Sequence, residues 1–169
     1  MTLPSYFVSH GGGPWPWMKD QYGPAYDKLE ASLQAMRRDA PDAVRAVLVV
    51  TSHWETRGFM VSSSAAPGMI YDYGGFPPHT YRISYPAPGE PALAARVAEL
   101  LTEAGHPAGL DPERGFDHGT FSMLYPVYPE AAMPVVQLSL RRDLDPQAHI
   151  DAGRALAPLR DEGVLIIGS

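Results

Sequence analysis

AVLVVTSHWE, residues 46–55, decides how this chain is read. A run of aliphatic, mostly β-branched residues breaks off in Thr51, Ser52, His53, Trp54 and Glu55. Apolar runs of that kind suit a strand covered on both faces, in the middle of an α/β sheet. Strand side chains alternate, so Val47, Val49, Thr51, His53 and Glu55 share one side, and Leu48, Val50, Ser52 and Trp54 the other. A buried strand that turns polar at its carboxyl end delivers functional groups to the rim where α/β proteins keep their sites. His53 is the leading candidate.

Working outward, residues 3–10 read as a first strand ending in His10, and Gly11-Gly12-Gly13-Pro14 stops it sharply. An amphipathic helix is expected from Pro24 to about Arg38, with Tyr26, Leu29, Leu33 and Met36 at helical spacing. Residues 59–63 suit a short strand. The Gly-, Pro- and Tyr-rich stretch 69–89 suits an ordered loop with aromatic walls. A second helix, about 90–104, carries Leu93, Val97, Leu100 and Leu101 as its stripe, with Gly105 as its stop.

Gly115-Phe116-Asp117-His118-Gly119-Thr120 reads as a turn that presents a histidine. Residues 134–140 form another strand, a helix runs from Pro146 to about Asp161, and residues 164–167 form a last strand before Gly168-Ser169. His79, His106 and His149 carry little: His106 follows a glycine in a loop, and His149 is expected to face solvent from the last helix. The pattern is an α/β fold of one domain, residues 1–169.

Composition narrows the function. The 169 residues are 45% hydrophobic and 19% charged, with a formal net charge of −6. That balance argues against a nucleic-acid partner, which would favour a basic face. With no cysteine, any metal must sit on His, Asp or Glu. The N-terminus lacks the basic start and apolar core of a signal peptide. No run approaches the ~18 apolar residues of a membrane span. The expectation is a soluble cytoplasmic protein with no membrane or nucleic-acid partner and an open oligomeric state.

Taken singly, His10 and His53 would each be read as a turn or strand-end histidine. If the first two strands are parallel neighbours, however, their carboxyl ends bring the two imidazoles together. Two imidazoles plus a carboxylate or a third imidazole, with open positions, suit Fe(II) or Zn(II). His118 could then take or return a proton, because an unperturbed imidazole titrates at ~6.5.

Ser9-His10-Gly11-Gly12-Gly13-Pro14, Thr51-Ser52-His53-Trp54-Glu55, Gly74-Gly75-Phe76-Pro77, Tyr85-Pro86-Ala87-Pro88-Gly89 and Gly115-Phe116-Asp117-His118-Gly119 occur in that order through nearly the whole chain. Together they resemble the LigB-type (class III) extradiol ring-cleavage dioxygenases, in the DOPA dioxygenase-like branch. The resemblance implies a three-layer α/β/α domain with a central, mainly parallel or mixed sheet. It implies a non-haem metal centre, Fe(II) for activity with Zn(II) as the other metal, and insertion of both atoms of O2 into a catechol. By motif match, His10 and His53 would be metal ligands, His118 the catalytic histidine, and Asp72 and Phe76 substrate-binding residues. Relatives of this kind continue past the position of Ser169, so the resemblance also implies a domain incomplete at its C-terminal end, lacking a later ligand. Glu55 is a poor substitute, since two residues along a strand span ~6.6 Å. The competing readings are a catalytically inactive metal-binding or interaction protein of the same fold, and a zinc hydrolase.

Overall fold

The computed structural model describes residues 2–169. Its centre is a six-stranded mixed sheet of β1 (Ser5–Phe7), β2 (Ala46–Thr56), β3 (Phe59–Ser62), β4 (Ala108–Asp111), β5 (Val135–Arg141) and β6 (Val164–Gly168), in the order β1-β6-β2-β5-β3-β4. β1, β6, β2 and β5 run parallel, and β3 lies antiparallel to β5. The expected neighbours β1 and β2 do not touch. β6, an apolar strand, lies between them, pairing Tyr6 with Ile167 on one side and Val49 with Ile167 on the other. All three strands still point the same way, so the carboxyl ends share an edge as the argument required.

The alternation along β2 sorts its residues into two cores. Val47 and Val49 face α2 (Asp27–Asp39) and α4 (His118–Val127), packing with Leu33, Met36, Phe121, Leu124, Leu165 and Ile167. Leu48 faces the opposite layer, with Leu93, Val97 and Leu101 of α3 (Pro91–Glu103) and Ala152 of α5 (Pro146–Ala155). A short α1 (Lys19–Tyr22) leads towards α2. The layers are therefore helix, sheet, helix. Burying one Leu or Val side chain contributes roughly 1.5–3 kcal/mol, and both faces of β2 are filled.

Several boundaries differ from expectation, each for a physical reason. β1 is only three residues long, and His10 lies beyond it. The helix expected from Pro24 begins at Asp27 after a 3-10 turn over Gly23–Tyr26. The last helix stops at Ala155 and continues as a 3-10 turn over Ala157–Arg160. Residues 118–127, expected to begin as a turn, form a helix buried nearly all round, with Pro126 in its last turn. A helix without a polar face leaves no amphipathic stripe to read. β4 (AGLD) is a short edge strand with no β-branched residue.

His149 is half-buried. Its ring packs edge-on to Phe59 at 5.4 Å, and its two nitrogens engage the Arg141 N–H and the Asp145 carbonyl. It helps line an apolar cavity of about 300 Å³ between sheet and α5, with Phe59, Leu138 and Leu156. None of the candidate site residues lies there. Among the described residues, no helix is long and apolar enough to cross a membrane.

Candidate metal centre

The parallel register of β2 and β5 breaks between Val50 and Glu55, where β2 spends three more residues than its partner. Such bulges re-aim side chains at sheet edges. Here the bulge holds Thr51, His53 and Trp54 at the carboxyl rim. Thr51 is fully buried and donates its hydroxyl to Asp117. Trp54 is buried under the Arg114 guanidinium, 4.8 Å from its ring centre. His53, between them, points its ring outward with the side chain 29% exposed.

His10 reaches the same rim from the segment after β1. Val8 N–H still bonds the Gly168 carbonyl, and the Trp15 indole N–H holds the His10 carbonyl at 2.7 Å. Gly13, at φ +54°, lets the Phe76 ring approach: a Cβ there would stand 2.5 Å from it. The glycine run thus serves close packing as well as the turn.

His118 is the first residue of α4 and is buried. Asp117 caps that helix, its carboxylate accepting from the Thr120 N–H at 3.0 Å, and also from Thr51 and Arg114. Gln137 ties the preceding segment to β5, donating to the Gly115 carbonyl and accepting from Thr120 Oγ1. Buried polar groups this fully paired fix a unique geometry. Gly119 gives room for the neighbouring imidazole, since a Cβ there would lie 2.8 Å from His53 Cδ2.

These elements bring His10, His53 and His118 into one cluster, with a nitrogen of each within 4.8 Å of the others. His10 Nε2 and His53 Nε2 are 3.0 Å apart, and the His53 and His118 ring centres 4.2 Å apart. Asp72 arrives from the long loop and touches both of the latter. Its Oδ2 pairs with His53 Nδ1 at 3.0 Å, and its Oδ1 accepts from His118 Nδ1 and the His118 backbone N–H, each at 2.9 Å. His10 Nδ1 lies 2.8 Å from the Ser169 hydroxyl. Glu55 is exposed and outside the cluster.

The charges follow from these contacts. Burial, reinforced by His53 and His118, pushes the His10 pKa down from 6.5 to about 4. The hydrogen bond to Asp72 raises that of His53 against the cost of its burial. Burial works against ionising Asp72, yet the hydrogen bonds from His118 and His53 outweigh it and hold the carboxyl well below its ordinary range. The donor set fits a cation. With its proton on Nδ1, His53 offers a bare Nε2 to His10 Nε2. At 3.0 Å the two nitrogens stand close enough for both to bind one ion at the ~2.1 Å usual for imidazole.

The aromatic residues divide between wall and core. Tyr73 stands 5.7 Å from the His118 ring and 5.2 Å from Phe76, with its hydroxyl bonded to the Thr80 carbonyl and its pKa raised by burial to about 12. Trp17 packs on Phe121 and Tyr125. Trp15 is a core residue stacked on Tyr26, and Tyr71 is tied by its hydroxyl to Ile83. His79 is exposed and outside the cluster. Sequence reasoning missed the double grip of Asp72, because no spacing connects the loop to α4.

A histidine cluster backed by a carboxylate, on the carboxyl rim of a parallel sheet, defines a candidate metal centre of the α/β class. The family is more specific: residues 4–169 match the catalytic LigB subunit of aromatic ring-opening dioxygenase, and the chain belongs to that family. It is 41% identical to the 4,5-DOPA dioxygenase extradiol of Escherichia coli K12, over 99% of this chain and 58% of that protein. With the protein of the same name from Portulaca grandiflora it shares 44% identity, over 98% of this chain and 59% of the other. The dioxygenase tasH of Hapsidospora irregularis is 41% identical, over 98% and 52%. A crystal structure of an uncharacterised protein from Escherichia coli K12 superposes with a TM-score of 0.73 at 37% identity, covering 99% of this chain and 59% of that one. The chain spans little more than half the length of these proteins.

Proposed function

We propose that residues 1–169 form a catalytic domain of an extradiol dioxygenase, which opens a catechol ring beside its two hydroxyls and incorporates both atoms of O2. The observation that carries this reading is the meeting of His10 Nε2 and His53 Nε2 at 3.0 Å, with His118 alongside. The relatives named as 4,5-DOPA dioxygenases favour a catechol substrate, and favour an enzyme over an inactive binding protein of the same fold. A zinc hydrolase would need a carboxylate free to activate water, whereas Asp72 is engaged by histidines.

In this reading His10 and His53 hold Fe(II), which when bound supplies a Lewis acid for the catechol oxygens and a redox-active partner for O2. Zn(II) would suit the same imidazoles but has no redox chemistry. His118 serves as the proton acceptor: with Nδ1 donating to Asp72, its other nitrogen keeps a lone pair. Phe76 and Tyr73 form an apolar wall that a catechol ring can lie against. Fixing the ring beside the reacting groups lowers the entropic part of the barrier.

Oxygen consumption by the anaerobically Fe(II)-loaded protein, with a panel of catechols, tests the proposal. Uptake of one O2 per catechol with a yellow ring-opened product is expected. Metal binding without oxygen uptake on any catechol would refute it.

A further inference from the structure

Every hydrogen bond assigned to the Asp72 carboxylate goes to a histidine. Oδ1 accepts the side-chain and backbone N–H of His118. Oδ2 stands 3.0 Å from His53 Nδ1 in an ion-pair contact, too close for a bare nitrogen to face a carboxylate oxygen. An ionised carboxylate only accepts. Each imidazole that donates to it from Nδ1 must therefore carry its neutral-state proton there, leaving Nε2 bare. The bond to the His118 backbone N–H also ties Asp72 to the first residue of α4. Both carboxylate oxygens are thereby engaged at the histidines.

The geometry points to Asp72 as the positioning residue of the centre: one carboxylate sets the tautomer of His53 and His118 together and holds them as a pair against His10. The inference deepens the reading above and takes from it the roles of ligand and proton acceptor; the tautomers themselves do not depend on it. With the rings 4.2 Å apart and 61° inclined, a single anion satisfies both Nδ1 donors. Two separate carboxylates would crowd like charges into the same corner. Sharing also couples the two histidines, since displacing Asp72 releases both.

A carboxamide at this position cannot do the same work. Asn offers one acceptor oxygen and one NH2 group. In Asp72→Asn, the NH2 would face one of the two Nδ1 atoms and demand the opposite tautomer there. That moves the proton of this ring to Nε2 and closes the nitrogen the site needs.

The test is long-range 1H–15N correlation of the metal-free chain, labelled at histidine, at alkaline pH where the imidazoles are neutral. In the wild type, His53 and His118 are both expected as Nδ1–H tautomers; in Asp72→Asn one of them changes. Zinc affinity, read by competition with a chromophoric chelator, should fall about 10–100-fold in the variant, and Asp72→Glu should recover part of it. An Nε2–H tautomer at either histidine of the wild type overturns the inference, whether or not the variant folds. So does Asp72→Asn with both tautomers retained. A wild-type chain with the expected tautomers but no affinity for zinc or Fe(II) would support Asp72 as positioning residue while refuting the metal-dependent reading.

Discussion

His10 Nε2 and His53 Nε2 face each other at 3.0 Å, although 43 positions separate them in the chain. Two bare imidazole nitrogens repel at that distance. In the metal-free protein one proton must lie between them; with both imidazoles neutral, His53 carries its own on Nδ1 towards Asp72, and His10 is the donor. His10 Nδ1 then accepts from the Ser169 hydroxyl. A bound cation replaces that proton, so zinc binding should move the His10 proton to Nδ1, which histidine NMR reads directly. An unchanged His10 tautomer on saturation with zinc would contradict this arrangement.

The proton-accepting role proposed for His118 separates binding from chemistry. In His118→Asn, the metal affinity should stay within a few-fold of wild type while kcat falls about 10²–10⁴-fold, the usual contribution of a positioned acid–base group. Equal loss of metal from His118→Asn and His53→Asn would instead make His118 a ligand. Parallel metal titrations and oxygen-uptake kinetics provide the comparison.

Gly119→Ala offers a change at one atom. The new Cβ would stand 2.8 Å from His53 Cδ2, so the imidazole must shift. Ala is also the better helix former, by up to ~1 kcal/mol. Metal affinity should drop while the thermal midpoint holds or rises, as calorimetry and chelator competition would show. A variant with full affinity would mean that the ring has slack.

Asp117 bears on stability. Its side chain is fully buried, caps α4 and pairs with Arg114. Asp117→Ala removes a cap contributing about 1 kcal/mol and takes from the guanidinium its carboxylate partner. Breaking a buried pair in this way typically costs 3–5 kcal/mol. Urea unfolding should therefore show a loss of several kcal/mol. A loss below about 1 kcal/mol would count against a structural role for the pair.

The pH dependence of the metal-free protein follows from opposed shifts. His10 is held at about 4 against 6.5, so the unfolded chain binds its proton first. Stability from this group is complete above about 6.5 and is lost as the pH falls towards 4. His53 is shifted upward, so its contribution is complete below 6.5 and is lost as the pH rises through its folded value. The depressed Asp72 carboxyl adds stability above its ordinary value of 3.8, lost on further acidification. Replacing His10 by Asn should flatten the decline between pH 6.5 and 4 in denaturant titrations; an unchanged slope would show that burial does not hold His10 neutral.

Much of this was readable in the residues, for definite reasons. The β2 run and the α3 stripe carry their periods openly, and the split of Val47 and Val49 from Leu48 recurs as two separate cores. His10 and His118 stood out because glycines flank them, and His53 because it lies where the apolar run of β2 turns polar. What stayed hidden depends on contacts between distant segments. Nothing local places β6 between β1 and β2, and α4, buried nearly all round, has no period to detect. The cap Asp117 was the one available signal for it. Asp72 looked like a pocket residue because its partners lie on other elements.

The central claim is that one ion is shared by His10 and His53. Calorimetric titration of the metal-free chain with Co(II), with the visible spectrum followed in parallel, measures it most directly. One ion per chain is expected, with imidazole-type d–d bands, and either His10→Ala or His53→Ala should abolish that binding. Undiminished binding of one Co(II) in both variants would contradict the account.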